Sequence, residues 1–274
     1  MGAVALFAGV YNLEGENAAE HSVTLCHGPS LSLSHRSWYL INTLTGAGSN
    51  MPGNEFFSDW LESAMDGLRP LSREYFLQPA EEVARGLLGC LLMHEIAAET
   101  LVARIVETEA YLAEGDPGCH AARGRTERNA PMFGPPGTAY VYMIYGMHLC
   151  MNLVTGPEGT PAAVLLRAAE PLMGIETMRR LRGRDALKDL CSGPAKLAEA
   201  FGITLEHNRK DITGGRLYVT AAPGDTMPED VLVTTRVGLG EGAGDDLMLR
   251  YLIPDSQWVS RSPRRDAPVN YQKR

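Results

Sequence analysis

The chain has no long hydrophobic run and few cysteines, and each shortage excludes a class of protein. No apolar stretch reaches the roughly 20 residues that a membrane-spanning helix needs, so we expect no membrane partner. The five cysteines are odd in number and form no C-x-x-C pair, which favours reduced thiols and argues against a metal site. The first basic residue is Arg36, so the charged start of a signal peptide is missing and we expect a cytoplasmic protein.

Lysine is also scarce, because arginine supplies most of the basic residues. The lysines are Lys188, Lys196, Lys210 and Lys273. None lies within residues 101–152, where the most informative motifs are found, so a lysine nucleophile that forms a Schiff base is not indicated there.

The net charge of −8 argues on its own against an anionic partner. The charge is unevenly distributed, however, because residues 1–70 hold seven acidic and only two basic residues. A loop within residues 121–152 carries Arg123, Arg125 and Arg128 against Glu127. Such a loop suits bidentate phosphate contact, although an ordinary solvated face would look the same.

The pattern of the chain predicts one main domain. Residues 1–70 show little periodicity, and we interpret them as an extension that is poorly ordered or follows from a start codon assigned too early. The domain is predicted over 71–265, followed by a basic tail over 266–274.

Strands dominate the predicted secondary structure of this domain. Helices are predicted over 80–88, 174–181 and 194–201, strands over 90–95, 101–111, 164–169, 217–220, 234–237, 249–252 and 258–259, and a hairpin over 138–154. Because there is no regular βαβ alternation, the prediction is a single α+β domain, mixed and largely antiparallel, with flanking helices and a protruding β-hairpin.

The run from Leu101 to Tyr111 alternates in the manner of a half-buried strand. One face would carry Leu101, Ala103, Ile105, Glu107, Glu109 and Tyr111. Carboxylates that point toward a core are costly unless they are paired or lie in a cleft. The end of this strand is therefore a candidate pocket floor.

The run from Tyr140 to Asn152 is rich in aromatic and β-branched residues and is interrupted by Gly146, which indicates a turn. Tyr140 and Tyr142 would share one face near the base of a hairpin, and Tyr145 would lie near its tip.

Each of these features has a plainer explanation when it is taken alone. Tyrosines in strands usually pack on the pleated surface, and a glutamate on an edge strand is usually solvated. Together, an inward carboxylate, stacked tyrosines, an exposed aromatic tip and a basic loop are typical of enzymes that extrude a base from a duplex.

The motifs RIVETEAY (104–111), PGTAYVYMIYGMHLCMN (136–152) and VLLRAAEP (164–171) closely resemble the alkyladenine (3-methyladenine) DNA glycosylase family of base-excision repair. CSGPAKL (191–197) and TRVGLG (235–240) extend the resemblance, which runs from about Leu71 to Arg261. It implies a fold similar to the C-terminal domain of formyltransferases. It also implies a monofunctional glycosylase that flips alkylated purines out of duplex DNA and leaves an abasic site.

The resemblance also implies a role for individual residues. Glu109 matches the general base that orients water, and Glu107 would be a structural carboxylate. Tyr111, His120 and Tyr142 match residues that flank the flipped base. Asn152 would crowd the exocyclic amine of guanine. Tyr145 would fill the space that the base vacates.

Four basic residues are candidates for contacts with the DNA backbone. Arg167 matches a family residue that contacts the backbone beside the flipped nucleotide, and Arg125, Arg128 and Lys196 are further candidates. The implied partner is double-stranded DNA with damaged purines, and the implied enzyme is a monomer without a cofactor or metal.

Two alternatives stay open. A non-catalytic nucleic-acid-binding module on the same scaffold would leave Glu109 without a role, and a small-molecule nucleoside hydrolase would leave Tyr145 and the basic loop unused. The range of accepted bases also stays open, because His148 and Leu149 replace aromatic residues of some relatives. Hypoxanthine, ethenoadenine and 7-methylguanine are among the bases in question.

Overall fold

The structure is a computed structural model that describes residues 67–223, 228 and 230–260, together with the backbone of strands at 6–7, 22–23 and 269–273. The helices are α1 (Arg73–Phe76), α2 (Ala80–Gly86), α3 (Ile175–Arg182) and α4 (Pro194–Ala200), with 3₁₀ helices at Ala130–Phe133, Leu187–Asp189 and Leu205–His207. The strands are β1 (Leu6–Phe7), β2 (Ser22–Val23), β3 (Leu91–Ile96), β4 (Glu99–Tyr111), β5 (Ala139–Ile144), β6 (His148–Thr155), β7 (Ala162–Met173), β8 (Leu217–Thr220), β9 (Asp230–Thr234), β10 (Arg250–Leu252) and β11 (Val269–Lys273).

An antiparallel sheet organises the fold, in the order β11-β9-β10-β4-β7-β6-β5, with β3 pairing with β4 and β8 with β3. β1 and β2 form a separate antiparallel pair. The few helices lie in between, so the predicted mixed, largely antiparallel α+β fold is confirmed. None of the described helices has the length and apolar character that crossing a bilayer requires.

β4 is the central strand and holds the rest of the sheet together. Its first half pairs with β3 and its last residues pair with β10, while β7 runs along the other edge. The prediction of a half-buried strand is wrong, because every residue from Leu101 to Ala110 is buried. On one side α2 covers the strand, and the Thr108 hydroxyl donates to the Ala84 carbonyl (2.8 Å).

The hydrophobic core packs the helices against β4 and its neighbours. Fully buried members include Phe76 beside α2, Val83 within it and Phe201 after α4, together with Leu101 and Ile105 of β4. This core fixes the C-terminal end of β4 relative to the β5–β6 hairpin, and the candidate site lies between them.

Several predicted boundaries need correction. β9 covers 230–234 instead of 234–237, and residues 258–259 do not form a strand. β7 runs past Pro171, which is accommodated where the pairing register with β4 shifts. Residues 269–273, within the predicted basic tail, form β11 and pair with β9. The predicted extension over 1–70 lies outside the described residues, apart from β1, β2 and positions 67–70.

Candidate active site

A cavity of about 290 Å³ opens between the end of β4 and the β5–β6 hairpin. Its lining includes seven residues that the sequence singled out: Tyr111, His120, Tyr140, Tyr142, Tyr145, Asn152 and Arg167. The sequence reasoning did not single out Gly118, Met132, Ile144, Cys150, Leu165, Pro194, Val237, Gly238 and Leu239, which also line it. Residues far apart in the chain therefore meet around one concave surface.

Glu109 lies directly behind this lining and is fully buried. Its Oε2 accepts hydrogen bonds from the Tyr111 hydroxyl (3.0 Å) and from Nη1 of Arg167 (3.2 Å). Its Oε1 accepts from the backbone N–H of Val237 (2.7 Å). All three donors belong to residues that line the cavity, so the carboxylate is one layer removed from it.

Glu107 forms the second half of a buried charge cluster with Glu109. Nε of Arg167 donates to Oε1 of Glu107 (2.9 Å), and Nε of Arg250 donates to the same oxygen (2.7 Å). The backbone N–H of Ser260 donates to Oε2 of Glu107 (2.6 Å), and the Ser260 hydroxyl donates to Oε1 (2.9 Å). Two carboxylates are thus balanced by two guanidinium groups.

Arg167 is the bridge of this cluster, because its guanidinium contacts both carboxylates. Burial alone would lower the pKa of Arg167, but the charges of Glu109 and Glu107 outweigh burial and raise it. Its Nη2 donates to the Ser260 hydroxyl (3.1 Å). All three guanidinium nitrogens are therefore engaged, and the predicted contact with a DNA backbone stays a prediction.

Uncharged aromatic rings form one wall of the cavity. The rings of His120 and Tyr142 lie edge to face at 4.5 Å, and those of Tyr140 and Tyr142 lie 5.1 Å apart. A hydrogen bond of 2.9 Å joins Nδ1 of His120 to the Tyr140 hydroxyl. Burial, followed by the charge of Arg128, lowers the pKa of His120, and burial raises the pKa of Tyr140 to about 12.

Tyr111 and Asn152 contribute other parts of the lining. Burial, and then the charge of Glu109, raises the pKa of Tyr111 well above its ordinary range, so the phenol stays protonated and donates to Glu109. Asn152 is buried, and its Nδ2 donates to the Tyr140 carbonyl (3.3 Å). Neutral rings beside one fixed amide suit a flat heteroaromatic ligand, whether neutral or cationic.

The hairpin tip lies where the sequence predicted it. Tyr145 and Gly146 both have positive φ, at 50° and 71°, as the tight turns of β-hairpins require. The N–H of Met147 donates to the Ile144 carbonyl (3.2 Å) and closes the turn. The Tyr145 side chain is 88% exposed and that of Met147 is 72% exposed, so the tip presents apolar surface to its surroundings.

Of the other three predicted basic residues, Arg128 lies beside this cavity and Arg125 and Lys196 do not line it. Arg128 is 5.4 Å from the Tyr142 ring, and its Nη2 donates to the Met143 carbonyl (3.0 Å). Arg125 lies 5.6 Å from the Phe133 ring and lines a different cavity, of about 450 Å³. Lys196 pairs with Asp189 (3.2 Å) and does not line the first cavity. Phosphate contact by these three residues stays a prediction.

The sequence reasoning missed the loop that closes the site from the far end of the chain. Val237 supplies a donor to Glu109, and the neighbouring Arg236 lies under the Tyr111 ring. The motif TRVGLG contains both residues and was a signal, but its spacing from β4 gave no indication of contact. Among the described residues, no group of three His, Cys, Asp or Glu side chains converges as a metal site would require.

Comparison with known proteins gives consistent matches over the described domain. Residues 74–257 match the family model described as methylpurine-DNA glycosylase. A protein of Carboxydothermus hydrogenoformans assigned as a 3-methyladenine DNA glycosylase is 47% identical over 192 residues, 70% of this chain and 98% of its own length. Proteins with the same assignment from Methanoculleus marisnigri (48% over 193 residues, 70% and 98%) and Chlorobium phaeobacteroides (43% over 194 residues, 70% and 96%) are also similar.

Replacing Glu107 by Gln should destabilise the fold, because Arg167 and Arg250 would share a single remaining carboxylate. Breaking a buried ion pair by removing one partner costs about 3 kcal/mol. The control is Glu176→Gln, which removes a carboxylate from the more exposed pair with Arg179. Denaturant unfolding should show a large loss for the first variant and little for the second, and equal losses would contradict the cluster's role.

Proposed function

The chain belongs to the methylpurine-DNA glycosylase family and is a DNA glycosylase, a hydrolase of N-glycosyl bonds, and on that premise we propose its substrate and mechanism. The proposed substrates are alkylated purines in double-stranded DNA, 3-methyladenine among them. The enzyme extrudes the damaged nucleotide into the cavity, hydrolyses the bond between C1′ and the purine nitrogen, and leaves an abasic site.

One observation carries the proposal: a buried carboxylate lies directly behind a cavity with aromatic walls, held by three donors that line that cavity. Breakage of the glycosidic bond develops positive charge on the sugar. A carboxylate fixed beside the reacting carbon stabilises that charge and accepts a proton from water. We assign both tasks to Glu109, whose carboxylate lies directly behind the cavity lining.

The proposed step balances without any cofactor. The oxygen of a water molecule bonds to C1′ while the C1′–N bond breaks. The electron pair of the broken bond leaves with the purine. Glu109 accepts the proton of the water. A purine alkylated at N3 or N7 already carries positive charge and leaves readily, so the step needs no strong general acid. With water as the nucleophile, the enzyme is monofunctional.

The cavity walls support selection of the base. Tyr111, His120 and Tyr142 offer ring faces and edges for stacking, which accepts any flat purine. Asn152 is buried and donates to the Tyr140 carbonyl, so a movement of its side chain would break this hydrogen bond. We propose that it rejects the 2-amino group of guanine by crowding it.

The surroundings of the cavity support a DNA duplex as the partner. Arg125 and Arg128 are exposed, and Arg128 keeps donors beyond its bond to Met143. Arg167 lines the cavity and keeps two N–H groups beyond its contacts with Glu107, Glu109 and Ser260, and we assign these to the backbone beside the flipped nucleotide. A small-molecule nucleoside hydrolase would need neither this rim nor the exposed hairpin tip. We also propose that the fold resembles the C-terminal domain of formyltransferases, and that the enzyme is a monomer in the cytoplasm.

Replacing Glu109 by Gln should reduce excision by about 10²–10⁴-fold, because Gln has nearly the same size as Glu but cannot take the proton. The measurement is single-turnover release of free 3-methyladenine from methylated duplex, with affinity for the damaged duplex measured in parallel and expected to change little. Glu206→Gln, an exposed position, is the control. If the Glu109→Gln variant keeps most of its rate, Glu107 becomes the candidate base.

Replacing Tyr145 by Ser should leave the melting temperature unchanged, because the side chain is 88% exposed and covers no core. Excision from paired duplex should fall, since an inserted side chain offsets the few kcal/mol lost when a base leaves the stack. Lesions in a mismatch should suffer less, because less stacking is broken there. A destabilised protein with equal proportional losses on both substrates would mean that Tyr145 is a packing residue.

Replacing Asn152 by Ser should increase the release of guanine derivatives relative to adenine lesions, because the shorter side chain leaves room for the 2-amino group. The measurement is the ratio of 7-methylguanine to 3-methyladenine released from the same methylated DNA. An unchanged ratio would place base selection elsewhere in the cavity.

A further inference from the structure

Two loops meet behind the candidate active site at a fully buried ion pair. Nη1 of Arg236 donates to Oδ2 of Asp116 (2.7 Å) and Nη2 donates to Oδ1 (2.5 Å), and both side chains are 0% exposed. This bidentate geometry is the most directional form of an ion pair. Burial would raise the pKa of Asp116, but the hydrogen bonds and charge of Arg236 and the N–H of Leu112 hold it below its ordinary value.

The Arg236 guanidinium also contacts the end of β4 and the loop at Gly244. Nη1 also donates to the Ala110 carbonyl at the end of β4 (3.0 Å), and Nη2 donates to the Gly244 carbonyl (3.2 Å). The guanidinium carbon lies 4.6 Å from the centre of the Tyr111 ring. Four of its five N–H groups are thereby engaged, so the side chain has little freedom to move.

Space around the pair is as restricted as its hydrogen bonding. A Cβ added at Gly118 would lie 2.9 Å from Nη2 of Arg236, and one added at Gly244 would lie 2.8 Å from it. The N–H of Gly118 also donates to Oδ1 of Asp116 (2.9 Å). Both loops therefore approach the guanidinium as closely as backbone allows.

The pair is linked directly to Glu109 by two routes. Val237, the next residue after Arg236, donates its N–H to Oε1 of Glu109, and Tyr111, which packs on the guanidinium, donates its hydroxyl to Oε2. Fixing Arg236 therefore fixes two of the three donors that orient the carboxylate. The third donor, Arg167, belongs to the separate cluster with Glu107.

We propose that the Asp116–Arg236 pair is a positioning element of the glycosylase reaction, which fixes the orientation of Glu109 and of the Tyr111 ring without touching the reacting atoms. This inference rests on the proposed function. Misplacing a catalytic group by about 1 Å can cost on the order of 10²-fold in rate. A buried ion pair is by contrast weak evidence for stability, because its desolvation offsets much of its attraction.

The test uses the full chain with Arg236→Lys, which keeps the charge beside Asp116 but loses the fork and the flat face against Tyr111. The matched control is Arg104→Lys, the same change in the largely buried pair with Glu170 near the middle of β4. Single-turnover excision of 3-methyladenine is measured across enzyme concentrations, so that the saturating rate and the half-saturating concentration are separated. Asp116→Asn is the second variant and provides the same test if Arg236→Lys does not fold.

We expect the saturating rate of Arg236→Lys to fall about 10- to 100-fold. Its half-saturating concentration should stay within about twofold of the parent value. The saturating rate of Arg104→Lys should stay near that of the parent. The inference would be overturned if the saturating rate of Arg236→Lys stayed within about twofold of the parent, or if only its half-saturating concentration changed. An equal loss of rate in Arg104→Lys would overturn it as well. Each of these results would leave the proposed function intact. A parent enzyme that releases no damaged purine would reject the proposed function, and the inference with it.

Discussion

The buried balance between two carboxylates and two guanidinium groups is the constraint on which this fold depends most. An ion held in a protein interior is costly unless a counter-ion meets it with good geometry. Glu107 and Glu109 come from β4, Arg167 from β7 and Arg250 from β10, so three strands must align for the charges to cancel. A slip of one residue in either pairing would turn these side chains to the opposite face.

The same balance explains how an acidic chain can carry a site for an anionic polymer. Arg167, Arg236 and Arg250 are each engaged with internal carboxylates and contribute little to the outer field. The exposed arginines of the loop before β5, Arg123, Arg125 and Arg128, meet few acidic neighbours in that loop. A net charge of −8 thus describes the whole chain and says little about the potential at the cavity rim.

The parts of the molecule that could be predicted are those whose pattern lies within one continuous stretch of the sequence. β4, the β5–β6 hairpin and the tip at Tyr145 follow from alternation and from one glycine, and Tyr111, Tyr142 and Asn152 line one cavity as a result. Contacts made across long separations could not be predicted in this way. Ser260 reaches Glu107 from 153 positions away, and Arg236 reaches Asp116 from 120.

The main structural error of the sequence reasoning concerns the other face of β4. Alternation along β4 indicated that the face opposite Glu107 and Glu109 meets solvent, but a pattern on one strand contains no information about what covers it. The α2 helix covers that face, and the Thr108 hydroxyl donates to the Ala84 carbonyl there. The inward face was predicted, whereas its partners Arg250, Ser260 and Val237 come from the last quarter of the chain and were not.

The backbone of Tyr145 shows a conflict between conformational preference and side-chain identity. A residue with a Cβ atom at φ 50° occupies the left-handed region, which costs roughly 1–2 kcal/mol relative to an ordinary conformation and which glycine adopts freely. The neighbouring Gly146 meets the same demand with no such cost. A ring that is almost wholly exposed recovers little of this energy by burial. The hairpin therefore keeps a small conformational cost at its exposed tip, because the position holds tyrosine where glycine would fit the turn without strain.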